Sequence, residues 1–311
     1  MSEVILIRTH YFDETLEGFC SRLQNESGRE VVALVDESKG QVSVPNTFGK
    51  VVLDFESLKE RGIYIPRDAA WRCGDYCYYA ARLARPDVAA FWLVEGDVRF
   101  KLDHLSEFFN AFPNADEVDF ITTGYHKSSN KWWWYNAMHA FSEQVYGCMY
   151  PLTRLSSRAI DHLMVRRAEH SIVFQERLSN GEMGLSWPND ESFTSTTLSC
   201  DGFVCRDVNG FGRSFHSKKT FRVGRPVSLR ELETQPNDGQ IHHPVVSGVS
   251  FLRKMKNSFG SYLKKNMPAE EIRAIFNTRL FLLVALETDP ETALKFHDDC
   301  EAALAQYNSD V

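Results

Sequence analysis

Apolar runs and amphipathic stretches alternate through the first 125 residues of the chain. VILIR (4–8) is apolar up to its arginine and predicts a buried strand, and DETLEGFCSRLQNES (13–27) spaces its apolar residues as a helix does. EVVALVDES (30–38) and VVLDF (51–55) predict two more strands, and GDYCYYAARLARP (74–86) a helix closed by Pro86. AAFWLVEGDV (89–98) reads as a central strand, LDHLSEFFNAF (102–112) as a helix and VDFITTGY (118–125) as a further strand. Nearly all-apolar strands alternating with helices predict an α/β fold, a mainly parallel central sheet flanked by helices. In open sheets of this kind ligands bind beyond the carboxyl ends of the strands. Arg8, Thr9, His10, Asp36, Glu95, Asp97 and His126 all follow predicted strands and are expected to cluster.

The second half is less regular. WWWYNAMHAFSEQVYG (132–147) reads as a helix or as an aromatic loop leading into one, and LSSRAIDHLMVRRAEHS (155–171) as a helix capped by Ser156 or Ser157. WPNDESFTSTTL (187–198) is a polar turn entering a helix, with Asp190 as its cap and Glu191 in its first turn. Residues 206–247 are rich in Gly, Pro, Asn and Asp and read as loops, and the pattern is helical again from Ser250. The expected organisation is one domain over 1–247 and a helical C-terminal extension over 248–311. In SFLRKMKNSFGSYLKK (250–265), Phe251, Leu252, Met255, Phe259, Tyr262 and Leu263 fall near helical spacing among Arg253, Lys254, Lys256, Lys264 and Lys265. That is either a helix packed on its domain or an interfacial helix at an anionic membrane. The remainder reads as two helices parted near Asp289 and Pro290, packing on the domain or forming a homodimer contact.

Bulk properties narrow the function. A chain of 311 residues, 43% hydrophobic and 25% charged, has length for a large core, and its net charge of −7 argues against a general nucleic-acid surface. Seven scattered cysteines offer neither a disulfide framework nor a zinc quartet and read as free thiols of a reducing compartment. The apolar run near the N-terminus is too short for a signal peptide, and no run approaches the ~20 residues of a membrane helix. A cytoplasmic protein is expected, with peripheral contact at the inner face of a membrane if 250–265 is interfacial. No phosphate-cradling loop ending in Lys-Ser/Thr, dinucleotide glycine fingerprint, His-Glu-x-x-His or Gly-x-Ser-x-Gly occurs.

FWLVEGDVRF (91–100) carries the sharpest chemistry. Glu95 and Asp97 project to the same side of an extended chain, and Gly96 between them lets a ligand approach the backbone. Convergent carboxylates suit Mg²⁺ or Mn²⁺, which also hold phosphates. Taken alone, the stretch is equally a turn whose acids face water or pair with Arg99.

The longer segment WRCGDYCYYAARLARPDVAAFWLVEGDVRF resembles nucleotide-sugar glycosyltransferases of the A-type fold, through Trp71, Gly74, Asp75, Tyr76, Trp92, Glu95, Asp97, Val98, Arg99 and Phe100. The resemblance continues through YPLTRLSSRAIDHL (150–163) and WPNDESF (187–193) to IHHPV (241–245), and spans about residues 4 to 246. It implies a metal-dependent transfer of a sugar from a nucleotide-sugar donor to a glycan, a lipid-linked glycan or another hydroxyl acceptor. It assigns Asp97 and either His242 or His243 to the metal, and Glu95 to the donor's ribose or sugar. Glu95 stands where such families usually have Asp. Asp190 and Glu191 become the acceptor-side base of an inverting enzyme. Arg8, Thr9, His10, Asp36 and Asp75 become donor contacts, with capping an alternative for Asp75. A catalytically silent domain binding nucleotide or glycan, and a nucleotidyltransferase, are the alternatives.

Overall fold

The computed structural model describes residues 2–309. In chain order its elements are β1 (Glu3–Thr9), α1 (Glu14–Ser27), β2 (Glu30–Val35), β3 (Gly49–Val52), α2 (Phe55–Glu60), α3 (Ala69–Arg72), α4 (Asp75–Ala84), β4 (Ala90–Glu95), β5 (Arg99–Lys101), α5 (Leu105–Phe109), β6 (Phe120–Lys127), α6 (Tyr135–His139) and β7 (Tyr146–Ser156). They continue with α7 (Ser157–Ser179), α8 (Asp190–Cys200), β8 (Cys205–Asp207), β9 (Val227–Ser228), α9 (Leu229–Thr234), β10 (Gln240–His242), β11 (Val245–Val246), α10 (Gly248–Lys264), α11 (Ala269–Ile275), α12 (Thr278–Glu287) and α13 (Pro290–Ser309). These elements form two compact units. One comprises the residues up to Gly96 with His104–Phe215, the other Asp97–Asp103 with the residues from His216 on. Residues 216–247, expected with the catalytic domain, thus share a unit with the C-terminal helices.

The first unit is a mixed α/β fold on a seven-stranded sheet of order β3-β2-β1-β4-β7-β6-β8. Every pairing is parallel except those of β7, which runs antiparallel to both β4 and β6. Alternation sorts the side chains. Val4, Leu6, Val32, Leu34, Phe91 and Leu93 enter one core with Tyr76 and Tyr79 of α4, Leu163 of α7 and Phe193 of α8. Trp92, one residue out of phase, packs on Phe108 and Phe109 of α5. β7 was not expected. Pro151 sits where its pairing with β6 slips between Thr122–Thr153 and Thr123–Met149, a bulge that accommodates a residue lacking an amide hydrogen. Ser156 then caps α7, accepting from the Ala159 amide. The segment 132–147 divides into an aromatic loop, the short α6 and the start of β7.

The second unit pairs β5 with β10 antiparallel and β9 with β11 parallel. Its core gathers Phe251, Met255 and Phe259 of α10 with Ile272, Val284 and Phe296 of the following helices. Of the apolar residues of 250–265, Phe251, Met255 and Phe259 are 1%, 0% and 8% exposed and face this core, whereas Leu252, Tyr262 and Leu263 are half-buried. The chain beyond 265 folds as three helices, not two, because Asn277 opens a new one by accepting from the Leu280 amide. Buried Glu287 of α12 accepts from Ser228 Oγ and from the Gly248 amide at the start of α10, fastening three elements. Among the described residues no helix is long and apolar enough to cross a membrane. Of the seven cysteines six are buried and Cys200 is exposed.

Candidate functional site

In the first unit the carboxyl ends of β1 and β4 meet through one ion pair. Arg8 Nη1 donates to Glu95 Oε1 at 2.8 Å, and Nη2 donates to the carbonyls of Ala70 and Trp71 at 2.6 and 2.9 Å. Arg8, expected as a donor contact, thus serves as a strut between two strand ends and α3. Burial works against its charge, but Glu95, Cys77, Asp190 and Cys73 together outweigh burial and hold its pKa above the ordinary value. Asp190 Oδ2 lies 3.9 Å from Arg8 Nη1 and accepts from the Gly74 amide at 2.7 Å. Only glycine fits at 74. A Cβ there would stand 2.7 Å from both Arg8 Nη1 and Asp190 Oδ2 and 2.9 Å from Tyr150 Cδ1.

Asp190 and Glu191 open α8, but the cap is Asn189, whose side chain accepts from the Ser192 amide. Asp190 is released from capping and turned inward. Its Oδ1 accepts from the Glu191 amide at 2.7 Å, and it is 4% exposed. Burial, helped by the Asp75 charge, pushes Asp190 up to about 7 against the pull of Arg8 and the two amides. Burial and then the Asp190 charge push half-buried Glu191 up to about 8. Asp190 thus has its oxygens engaged by backbone donors, whereas Glu191, with Oε2 3.5 Å from Asn189 Nδ2, is the more exposed of the two.

The other donor-side expectations divide. Asp75 is fully buried, bound by Arg167 Nε and Nη2 at 2.7 and 3.1 Å and by Tyr79 Oη at 2.8 Å. It is a core ion pair that no nucleotide reaches, and Gly74 rather than Asp75 is the N-cap of α4. Thr9 Oγ1 closes its own turn onto Tyr11. His10 is exposed after β1, and half-buried Asp36 follows β2, where its amide donates to the Thr9 carbonyl at 2.9 Å. These two strand-end groups stand where the sheet rule places ligand contacts.

In the second unit Asp97 and His243 come together, with His243 Nε2 at 3.5 Å from Asp97 Oδ1. His243 Nδ1 is 2.9 Å from the Arg222 carbonyl and so carries the proton, leaving a lone pair on Nε2 in the neutral ring. Asp97 Oδ1 is buried and receives no hydrogen bond. Burial raises the Asp97 pKa, but His243, Lys254 and Arg99 outweigh it and hold it below the usual aspartate value. Lys254 Nζ, from α10, lies 2.6 Å from Asp97 Oδ2. His242 turns to Asp238, 3.0 Å away, so of the two histidines only His243 joins Asp97.

Three groups escaped the sequence reading. Asn189 was legible as the residue before the acids in a helix-opening stretch. Lys254 appeared only as one base among five. No spacing links Arg167 to Asp75. Around α3, Trp71 and Trp133 are 69% and 84% exposed, and both pack edge-on against Trp134 at 6.1 and 6.3 Å. Arg72 donates to the Trp187 carbonyl, tying this aromatic group to the loop that carries Asp190.

No protein-family model and no curated protein matches the chain. Among solved structures, one described as "Crystal structure of a glycosyltransferase involved in the glycosylation of the major capsid of PBCV-1" is 11% identical. The match covers 83% of this chain and 98% of that one, with a TM-score of 0.36. A likeness of that size carries no argument about this chain.

Proposed function

We propose that the chain is a glycosyltransferase of the A-type fold that moves a sugar from a nucleotide-sugar donor to a hydroxyl of a glycan or lipid-linked glycan. The observation that carries this reading is the Asp190–Glu191 pair, two carboxyls held at raised pKa beside the strand ends of β1 and β4. A base poised near neutral pH is what activating an acceptor hydroxyl requires. In a direct displacement the acceptor oxygen bonds to the anomeric carbon as the bond to the diphosphate breaks. Glu191, the accessible acid, takes the hydroxyl proton. Asp190 is the positioning residue beside it. His10, Asp36 and Glu95 are the donor-side contacts, and the exposed indoles of Trp71 and Trp133 are faces for an acceptor sugar.

Asp97 and His243 fit a divalent cation: a bare, buried carboxylate oxygen faces an imidazole nitrogen whose tautomer is fixed from behind. An oxygen and nitrogen donor set suits Mn²⁺ better than Mg²⁺. When bound, such an ion neutralises charge on the departing diphosphate.

A thermal-shift screen of nucleotide sugars with and without Mn²⁺ identifies the donor, and release of free nucleotide upon adding acceptor establishes transfer. Binding without release under any acceptor leaves a silent binding domain. Release of pyrophosphate from a nucleoside triphosphate offered together with a sugar phosphate instead indicates nucleotidyl transfer.

A further inference from the structure

The two oxygens of Asp97 are treated differently. Oδ2 is bound by the Lys254 ammonium at 2.6 Å, while Oδ1 faces His243 Nε2 at 3.5 Å and receives no hydrogen bond. Whenever Nε2 carries no proton, two lone pairs oppose each other across that gap, an arrangement that a cation between them relieves. The carboxylate has one negative charge, however, and the lysine already neutralises it. A divalent ion on Oδ1 would sit beside an ammonium within the same small, largely buried group, where like charges repel strongly.

We propose that Lys254 is a built-in competitor for the divalent cation at Asp97, so that the cation binds weakly alone and tightly only together with a nucleoside diphosphate. The inference rests on the cation assignment made above. Lys254 is equipped for such a role. It sits in the first half of α10, which is anchored in its unit by the neighbouring buried residues Phe251 and Met255. Its side chain is 34% exposed, so the flexible stem has room to swing off the carboxylate. A diphosphate supplies the negative charge that lets ammonium and divalent ion coexist, and the displaced ammonium can then meet a phosphate oxygen. Linkage makes the effect reciprocal: if the diphosphate tightens the cation, the cation tightens the diphosphate by the same factor.

The test is titration of the full chain with MnCl₂, free Mn²⁺ being read by electron paramagnetic resonance. It is run alone and with UDP, GDP, CDP or ADP, on the wild type, Lys254→Met, Lys256→Met and Asp97→Asn, with circular dichroism as the check on folding. Lys254→Met is expected to bind Mn²⁺ about tenfold more tightly without nucleotide, and the gain from diphosphate is expected to shrink accordingly. Lys256→Met, which removes the same charge from the same helix away from Asp97, should stay within about twofold of the wild type. Equal or weaker Mn²⁺ binding by Lys254→Met overturns the competitor role. If Asp97→Asn nevertheless abolishes Mn²⁺ binding in that experiment, the cation assignment stands without it. No Mn²⁺ binding by any variant, with or without diphosphate, overturns both.

Discussion

Asp190 with Glu191 in the first unit and Asp97 in the second are carboxyls wholly or partly withdrawn from water, and burial pushes all three toward the protonated form. They end on opposite sides of their ordinary values. Asp97 has a lysine in contact and a histidine facing it, and its pKa falls. Glu191 has another acid as its nearest charge. Asp190 has an arginine, but at 3.9 Å and already committed to Glu95. Burial is the same in kind, and the partner decides. The acid left short of cations is suited to receiving a proton, and the acid surrounded by cations to remaining an anion.

The strongest way to break this contrast is to remove the accessible base. Glu191→Gln should reduce kcat by roughly 10²–10⁴-fold with donor affinity retained, in a nucleotide-release assay. Full activity would remove Glu191 from the chemistry. Asp190→Asn should instead shift the pH profile. In the wild type kcat/KM should rise with pH along a limb near 8, set by Glu191. Without the neighbouring charge that limb should move down toward the ordinary carboxylate range.

Asp75 sharpens the comparison as a third buried acid, fully matched by its own arginine. Asp75→Ala leaves Arg167 charged and 0% exposed, so a loss of about 3–5 kcal/mol is expected in urea denaturation. A loss under about 1 kcal/mol would mean that water reaches the arginine. Gly74→Ala forces a methyl between Arg8 and Asp190 and should cost about 1–3 kcal/mol. It should also alter the wild-type pH limb, a change that strain elsewhere in α4 would not produce.

The smallest effect is on stability against pH. Asp190 and Glu191 bind protons more tightly folded than unfolded, so their contribution is complete below about pH 4 and is lost as pH rises through 7 to 8. Asp97 acts in reverse, contributing above its unfolded pKa and losing that contribution as pH falls through its lowered folded value. The unfolding midpoint should fall between pH 6 and 9. Asp190→Asn should flatten that slope, and Asp97→Asn should leave it intact. An unchanged slope in Asp190→Asn would place the titrating group elsewhere.

The strands and helices of the first 125 residues were legible because buried parallel strands are apolar on both faces and their helices amphipathic. β7 was not. YGCMYPLTRLS mixes Pro151, Thr153 and buried Arg154 into a central strand, and the Arg154 guanidinium bonds to partners distant in the sequence such as Glu3 and Val118. The acids at 95, 97, 190 and 191 could be singled out by type and position. Which way the pKa values of Asp97, Asp190 and Glu191 move could not, because that depends on Arg8, Gly74, His243 and Lys254, each brought close by the fold from far along the chain. Asp75 shows the same limit from the other side. Its motif position marked it for a ligand, and a helix 92 residues later claims it.

The order of synthesis gives the segment Asp97–Asp103 a particular history. It leaves the ribosome with the first half of the chain, yet β5 within it pairs with β10, which is made only at residues 240–242. Its unit gains its helical core later still. A growing chain can thus complete the sheet of the first unit while these seven residues wait for their partners, and Asp97 among them waits for Lys254. Shortening the chain far enough from its end therefore strips partners from a stretch near residue 100, and Asp97 reaches its final surroundings only once α10, which carries Lys254, has been translated.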